Sequence, residues 1–174
     1  MKGHFWLCDV PRAEKAVRFD QDGPLSLGRL YDVMEQEKLL SIFFHTGLVD
    51  REGFIRRFSG DDHLTYAAYS ADGVPLVLAV VNGLSGASGM THFCYFREGR
   101  GMAQQLAREW MIMLRNDGMR SLTGLTPAPY RHALAFAERV GFRRLGTIPG
   151  ACKLVCRGGR LCDGVVTVIN LSEV

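Results

Sequence analysis

Apolar side chains recur every three or four residues in some stretches of the chain. In others they alternate, or run in short blocks closed by turn residues. The first pattern marks helices and the second marks strands. Leu27, Leu30, Tyr31, Met34, Leu39, Leu40 and Phe43 follow the helical spacing and predict one or two helices, with Ser26 placed to cap the first. A further short helix is expected over residues 50–58, with Phe54, Ile55 and Phe58 turned inward. Residues 64–70 and 74–82 read as strands joined through Ala71-Asp72-Gly73, where Asp-Gly is a strong hairpin signal. The run Gly-Leu-Ser-Gly-Ala-Ser-Gly over residues 83–89 reads as a flexible connection into a strand over residues 90–96.

The second half follows the same logic. Met102, Leu106, Trp110 and Met113 form one apolar stripe of an amphipathic helix that Asn116-Asp117-Gly118 closes, with Gly118 as a left-handed cap. A short strand is expected at residues 121–125. A stiff Thr126-Pro127-Ala128-Pro129 loop follows, and then a helix carrying Ala133, Phe136, Ala137 and Val140 that stops at Gly141. Residues 142–155 and 161–171 are expected to pair as a hairpin across Gly158-Gly159, with a bulge near Pro149-Gly150. A first strand is expected within residues 1–10, and a turn at residues 20–24. The order β, α(α), β, β, β, α, β, α, β, β predicts an α/β fold with a mixed, mostly antiparallel central sheet and flanking helices.

The junction inside residues 90–113 stands out chemically. A strand ends in Arg97-Glu98-Gly99-Arg100-Gly101, and Met102-Ala103 open a helix. The first amides of a helix lack intrahelical partners, and the helix dipole adds partial positive charge there. Such a turn suits phosphate oxygens, and glycines let a ligand approach the backbone.

Length and composition narrow the picture only a little. At 174 residues the chain is expected to form a single domain over residues 1–174. No window approaches the apolar length of a membrane span, and no signal-peptide pattern opens the chain, so a cytoplasmic protein is expected. A net charge of +3 without a concentrated basic stretch fits a polyanionic small molecule, and nucleic acid is not expected. The five cysteines have neither metal-site spacing nor a disulfide framework, so reduced, mostly buried thiols are expected.

The element order and two partial motifs resemble the GNAT N-acetyltransferase superfamily. Glu98-Gly99-Arg100-Gly101-Met102-Ala103 matches that family's acyl-CoA loop at Gly101 and Ala103, with Glu98 in place of the usual Arg or Gln. Ala133, Gly141 and Phe142 match its second motif, with Tyr130 at the Asn position and Ala137 at the Tyr position. The resemblance implies an acetyl-CoA cosubstrate. It implies that the pantetheine arm pairs with the backbone of Cys94, Tyr95 and Phe96, and that the pyrophosphate sits over Gly99, Arg100, Gly101, Met102 and Ala103. It also implies direct acetyl transfer to an amine.

Such a transfer needs deprotonation of the amine, a donor to the oxyanion and a proton for the leaving thiolate. Ala137 cannot supply the last, which leaves Tyr130 as the nearest phenol and His92 as the candidate base. A non-catalytic binding or accessory protein on the same scaffold is the alternative. The acceptor amine is not readable from the sequence, and a homodimer through an exposed final strand is a further expectation.

Overall fold

A computed structural model describes residues 6–7, 26–60, 62–70 and 72–174. The expected first strand is described only at β1 (Trp6–Leu7), and the expected turn at residues 20–24 lies outside the described residues. Helices α1 (Leu27–Gln36), α2 (Leu40–Phe43) and α3 (Arg51–Ser59) come next, followed by β2 (Leu64–Tyr69), β3 (Pro75–Ser85) and β4 (Ser88–Tyr95). Then come α4 (Ala103–Asn116), β5 (Ser121–Pro127), α5 (Arg131–Arg139), β6 (Arg143–Leu154) and β7 (Arg160–Asn170). The strands form one sheet in the order β1-β2-β3-β4-β5-β7-β6. Only β4 and β5 run parallel; every other neighbouring pair is antiparallel. The mixed, mostly antiparallel architecture expected from the pattern is the one found.

Local chemistry sets the helix boundaries. The Arg29 amide donates to Ser26 Oγ (3.1 Å) and the Gly53 amide to Asp50 Oδ1 (2.7 Å), so both helices start on a side-chain cap. Helix α1 ends in a Schellman turn: Leu39 N–H donates to Met34 O and Lys38 N–H to Glu35 O, with Lys38 at φ 58°. That reversal sends the chain straight into α2 and fixes Glu37 at the corner.

Helices cover both faces of the sheet. On one face Leu27, Leu30, Met34, Phe54 and Phe58 bury against Leu78, Val80 and Phe96. On the other, Leu106, Trp110, Met111 and Leu114 of α4 bury against Val77, Ala79, Val81 and Leu122. Strand β3 is therefore buried on both sides through Val81, as a central strand between two helical layers should be.

Two glycine-rich segments differ from expectation. Residues 83–89 are not a flexible connection: β3 continues to Ser85 and β4 starts at Ser88, with Gly86 (φ 58°) turning the hairpin. Gly89 lies so close to β3 that a Cβ there would come within 2.4 Å of Val81 Cγ1. The glycines allow close strand packing. The exposed sheet edge also differs. The last strand in sequence, β7, is enclosed between β5 and β6, and the open edge belongs to β6, exposed from Arg143 to Gly150. The bulge expected at Pro149-Gly150 is present, as a register shift between Ile148 and Cys152.

Candidate functional site

Parallel strands β4 and β5 pair over only three positions, Ser88–Ser121, Gly89–Leu122 and Met90–Thr123. Beyond them the strands diverge, and β4 from Thr91 to Tyr95 keeps its β3 partners and none on the β5 side. Unpaired backbone along an internal strand is costly unless water or a ligand satisfies it. A cleft of about 650 Å³ opens at this divergence. Its walls come from β4, β5, α4 and α5, and its rim reaches the α1–α2 corner at Glu37, Leu39 and Ile42.

Alternation along β4 divides its side chains between the two faces. Phe93 and Tyr95 face α4 and α5, where Phe93 stacks on Phe136 at 5.3 Å and Tyr95 packs on the same ring at 5.7 Å. His92, Cys94 and Phe96 face α1–α3. Cys94 lines the cleft, and burial pushes its thiol up to about 12, so it stays protonated and inert. His92 packs against the Phe43 ring at 6.0 Å and is not among the lining residues. Burial, followed by the positive fields of His45, Arg57 and His63, pulls its pKa down to about 4. His92 is therefore neutral at pH 7.

The turn after β4 divides the expected cofactor residues by role. Phe96 is buried, its N–H donates to Leu76 O (3.0 Å) and its carbonyl accepts from Gly99 N–H (3.0 Å). The free edge of β4 thus ends at Tyr95, one residue short of the expected stretch. A Cβ on Gly99 would meet Leu76 O at 2.0 Å, so this glycine serves close packing on β3. Gly101 has open space where a Cβ would stand, and its amide has no backbone acceptor among the described residues. Arg100 and Met102 N–H groups bond back into the turn, so fewer amides are free than the glycine pattern suggests. Met102 is half-buried and Ala103 buried at the start of α4.

Charge concentrates at this end of the cleft. Arg97, Arg100, Arg131 and His132 line it, whereas Glu98 is exposed and does not. The Arg97 amide donates to both oxygens of Glu37 (2.8 and 3.1 Å), tying the turn to the α1–α2 corner. Arg131 and Glu37 escaped the sequence reading. Arg131 carried a faint signal: with His132 it puts basic side chains in the first turn of α5, where the helix dipole disfavours them unless an anion is near. Glu37 carried none, because its partner is sixty residues away.

Tyr130 lies at the start of α5 and lines the cleft, with its hydroxyl 3.4 Å from Cys156 Sγ. Burial and that contact raise its pKa, so the phenol keeps its proton throughout the physiological range. Ala137 lines the wall about two turns further on, with no proton to offer. His63 Nδ1 pairs with Asp62 Oδ1 at 2.7 Å; Asp61 lies outside the described residues, and no group of three or more metal-ligating side chains occurs among the described ones. No helix among the described residues is long and apolar enough to cross a membrane.

No protein-family model matches the chain, and no curated protein matches it by sequence. Solved structures do match in fold. Spermidine N-acetyltransferase from Vibrio cholerae, in complex with CoA and spermine, superposes with a TM-score of 0.72 at 12% identity, over 97% of this chain and 96% of that one. A GNAT superfamily phosphinothricin acetyltransferase from Sinorhizobium meliloti, in complex with acetyl-CoA, gives 0.69 at 14% identity, over 98% and 89%. An acetyltransferase described as putative, from Acinetobacter baylyi, gives 0.70 at 13% identity, over 97% and 93%. The chain has the fold of these GNAT-type acetyltransferases.

Proposed function

We propose that this chain is a GNAT N-acyltransferase that moves an acyl group from acyl-CoA to an amine, acting as a single cytoplasmic domain. The observation that carries the reading is the divergence of β4 from β5. It leaves one strand edge open along a cleft that ends at a glycine turn rimmed by arginines. The pantetheine amides would pair with the backbone of Cys94 and Tyr95. The pyrophosphate would lie over Gly101 between Arg97, Arg100 and Arg131, where charge-assisted contacts are strongest. The thioester then points down β4 towards its junction with β5.

The amine nitrogen attacks the thioester carbon, a C–N bond forms, the C–S bond breaks, and the amine's proton passes to the thiolate sulfur. His92 is a poor base at pKa about 4: taking a proton from an ammonium near 10.4 is uphill by about 9 kcal/mol. The amine therefore arrives as the free base, and neutral His92, packed on Phe43 away from the cleft lining, takes no proton from it. Tyr130 holds its proton and stabilises the departing thiolate by hydrogen bonding. Glu37 is the carboxylate among the cleft-lining residues, and the Arg97 amide occupies it. That favours an acceptor of low charge over a polyamine.

A non-catalytic CoA-binding protein is the second reading, favoured by Ala137 in the cleft wall. The test is the thermal midpoint with and without CoA and acetyl-CoA, using dephosphorylated analogues as controls, followed by thiol release with a panel of amines. Ligand at about 100 times its Kd adds about 2.7 kcal/mol, or roughly 5–10 °C at this length. A shift with no thiol release from any amine leaves the binder. No shift with millimolar CoA sinks both readings.

A further inference from the structure

The inner end of the cleft has its own chemistry. Where β4 and β5 part, the next facing residues are Thr91 and Gly124. Thr167 pairs with Gly124 across β7, and a Cβ on Gly124 would lie 2.8 Å from Thr167 Oγ1. A hydroxyl-bearing floor therefore lies under the point of divergence. Two small side chains, Ala107 of α4 and Ala137 of α5, also line the cleft.

Two polar atoms of cleft-lining residues are buried without a hydrogen-bond partner among the described residues: Thr91 Oγ1 and Trp110 Nε1. Both residues line the cleft, and Trp110 is 2% exposed. A buried indole N–H has only a donor to offer, and a buried threonine hydroxyl can donate or accept. Leaving such groups unpaired is costly, so an unpaired pair on the wall of one cleft points to a ligand atom that pairs them. The complement of an indole N–H is an acceptor oxygen.

We infer that the preferred donor is an acyl-CoA longer than acetyl, with an acceptor oxygen on the acyl chain that reaches Thr91 and Trp110. This rests on the acyl-CoA reading above. An acetyl group carries no acceptor oxygen beyond its thioester carbonyl. A plain alkyl chain fills the space and still leaves them unpaired.

The experiment compares binding of CoA, acetyl-CoA, butyryl-CoA and acetoacetyl-CoA by calorimetry and thermal shift, so turnover is not needed. Acetoacetyl-CoA is expected to bind about tenfold tighter than butyryl-CoA of the same chain length, and tighter than acetyl-CoA. Thr91→Val should bring the acetoacetyl-to-butyryl ratio towards one, as should Trp110→Phe if it folds. Ala137→Leu should weaken both four-carbon thioesters relative to acetyl-CoA by narrowing the chamber. If acetyl-CoA binds as tightly as acetoacetyl-CoA, or if folded Thr91→Val keeps the wild-type ratio, this inference is overturned while the acyl-CoA reading stands. If CoA and every thioester fail to bind, both fall.

Discussion

Two glycines in one turn give a sharp test, because one is packed against β3 and the other stands in open space. At Gly99 an added Cβ would sit 2.0 Å from Leu76 O, 2.7 Å from its carbonyl carbon and 3.0 Å from its Cα. All three are backbone atoms of a buried residue, so no side-chain rotation relieves the clash. Overpacking of this kind costs typically 1–3 kcal/mol, and a backbone clash belongs at or above the upper end, about 3 kcal/mol. For a chain of this length that lowers the melting temperature by about 6–12 °C. At Gly101 nothing stands within 4 Å of the added Cβ, and the residue is exposed. Gly101→Ala should therefore change the ligand-free melting temperature by about 1–2 °C at most. It does place a methyl over the amide that a pyrophosphate would approach. A tenfold loss of affinity, at ligand set to 100 times the wild-type Kd, cuts the stabilisation from about 2.7 to about 1.4 kcal/mol. Differential scanning fluorimetry of both variants with and without CoA reads all four quantities. A Gly99→Ala protein that melts like wild type refutes the packing argument. A Gly101→Ala protein with the full CoA shift refutes the placement of the pyrophosphate.

Other expectations follow from single residues. His92 has a lower pKa folded, about 4, than the unfolded value of 6.5, so acid favours the unfolded chain. Stability is intact above pH 6.5 and falls towards pH 4 by up to about 3 kcal/mol, and chemical denaturation of His92→Asn across that range should lose this component. If the variant keeps the wild-type pH slope, His92 is not buried neutral. Lys38 sits in the left-handed region at φ 58°, so Lys38→Gly should raise stability by about 0.5–1 kcal/mol in urea melts, whereas Lys38→Val should lower it. With its thiol pushed up to about 12, Cys94 should resist iodoacetamide at pH 8 while exposed Cys156 is alkylated, and peptide mass spectrometry gives the order. Leu106→Ala, at a fully buried position of α4, should cost about 2–5 kcal/mol in the same melts.

The elements that pattern alone located are those where side chains dictate the backbone. The stripe of Leu106, Trp110 and Leu114 is buried as its spacing requires, and Asp50 and Ser26 cap the helices they precede. Glycines were harder to read, because absence of a side chain serves several purposes. Gly83 and Gly86 supply positive φ for a hairpin, Gly89 and Gly99 supply close approach, and Gly101 leaves open space at the turn after β4. A sequence records the same letter for all of them. Contacts across the fold were illegible for a different reason. The Glu37–Arg97 bond depends on a Schellman turn placing one carboxylate at a corner sixty residues from its partner.

The same distinction explains how this cleft can differ so far from the usual side-chain signatures and keep its shape. The parts that the proposed acyl-CoA would face are a strand edge, an open turn and three guanidiniums, and the first two are backbone features that any sequence able to form the strands can provide. Replacing a phenol by Ala137 leaves them untouched. It removes a proton donor and adds volume to a cleft that Thr91 and Trp110 also line. A loss of volume-filling side chain that served nothing would leave an apolar void, which a core tends to close. Here the space is bordered by two unpaired polar atoms. That combination is what a chamber shaped for a polar acyl chain requires, so on the proposal above the departure at Ala137 and the preferred donor belong to one change.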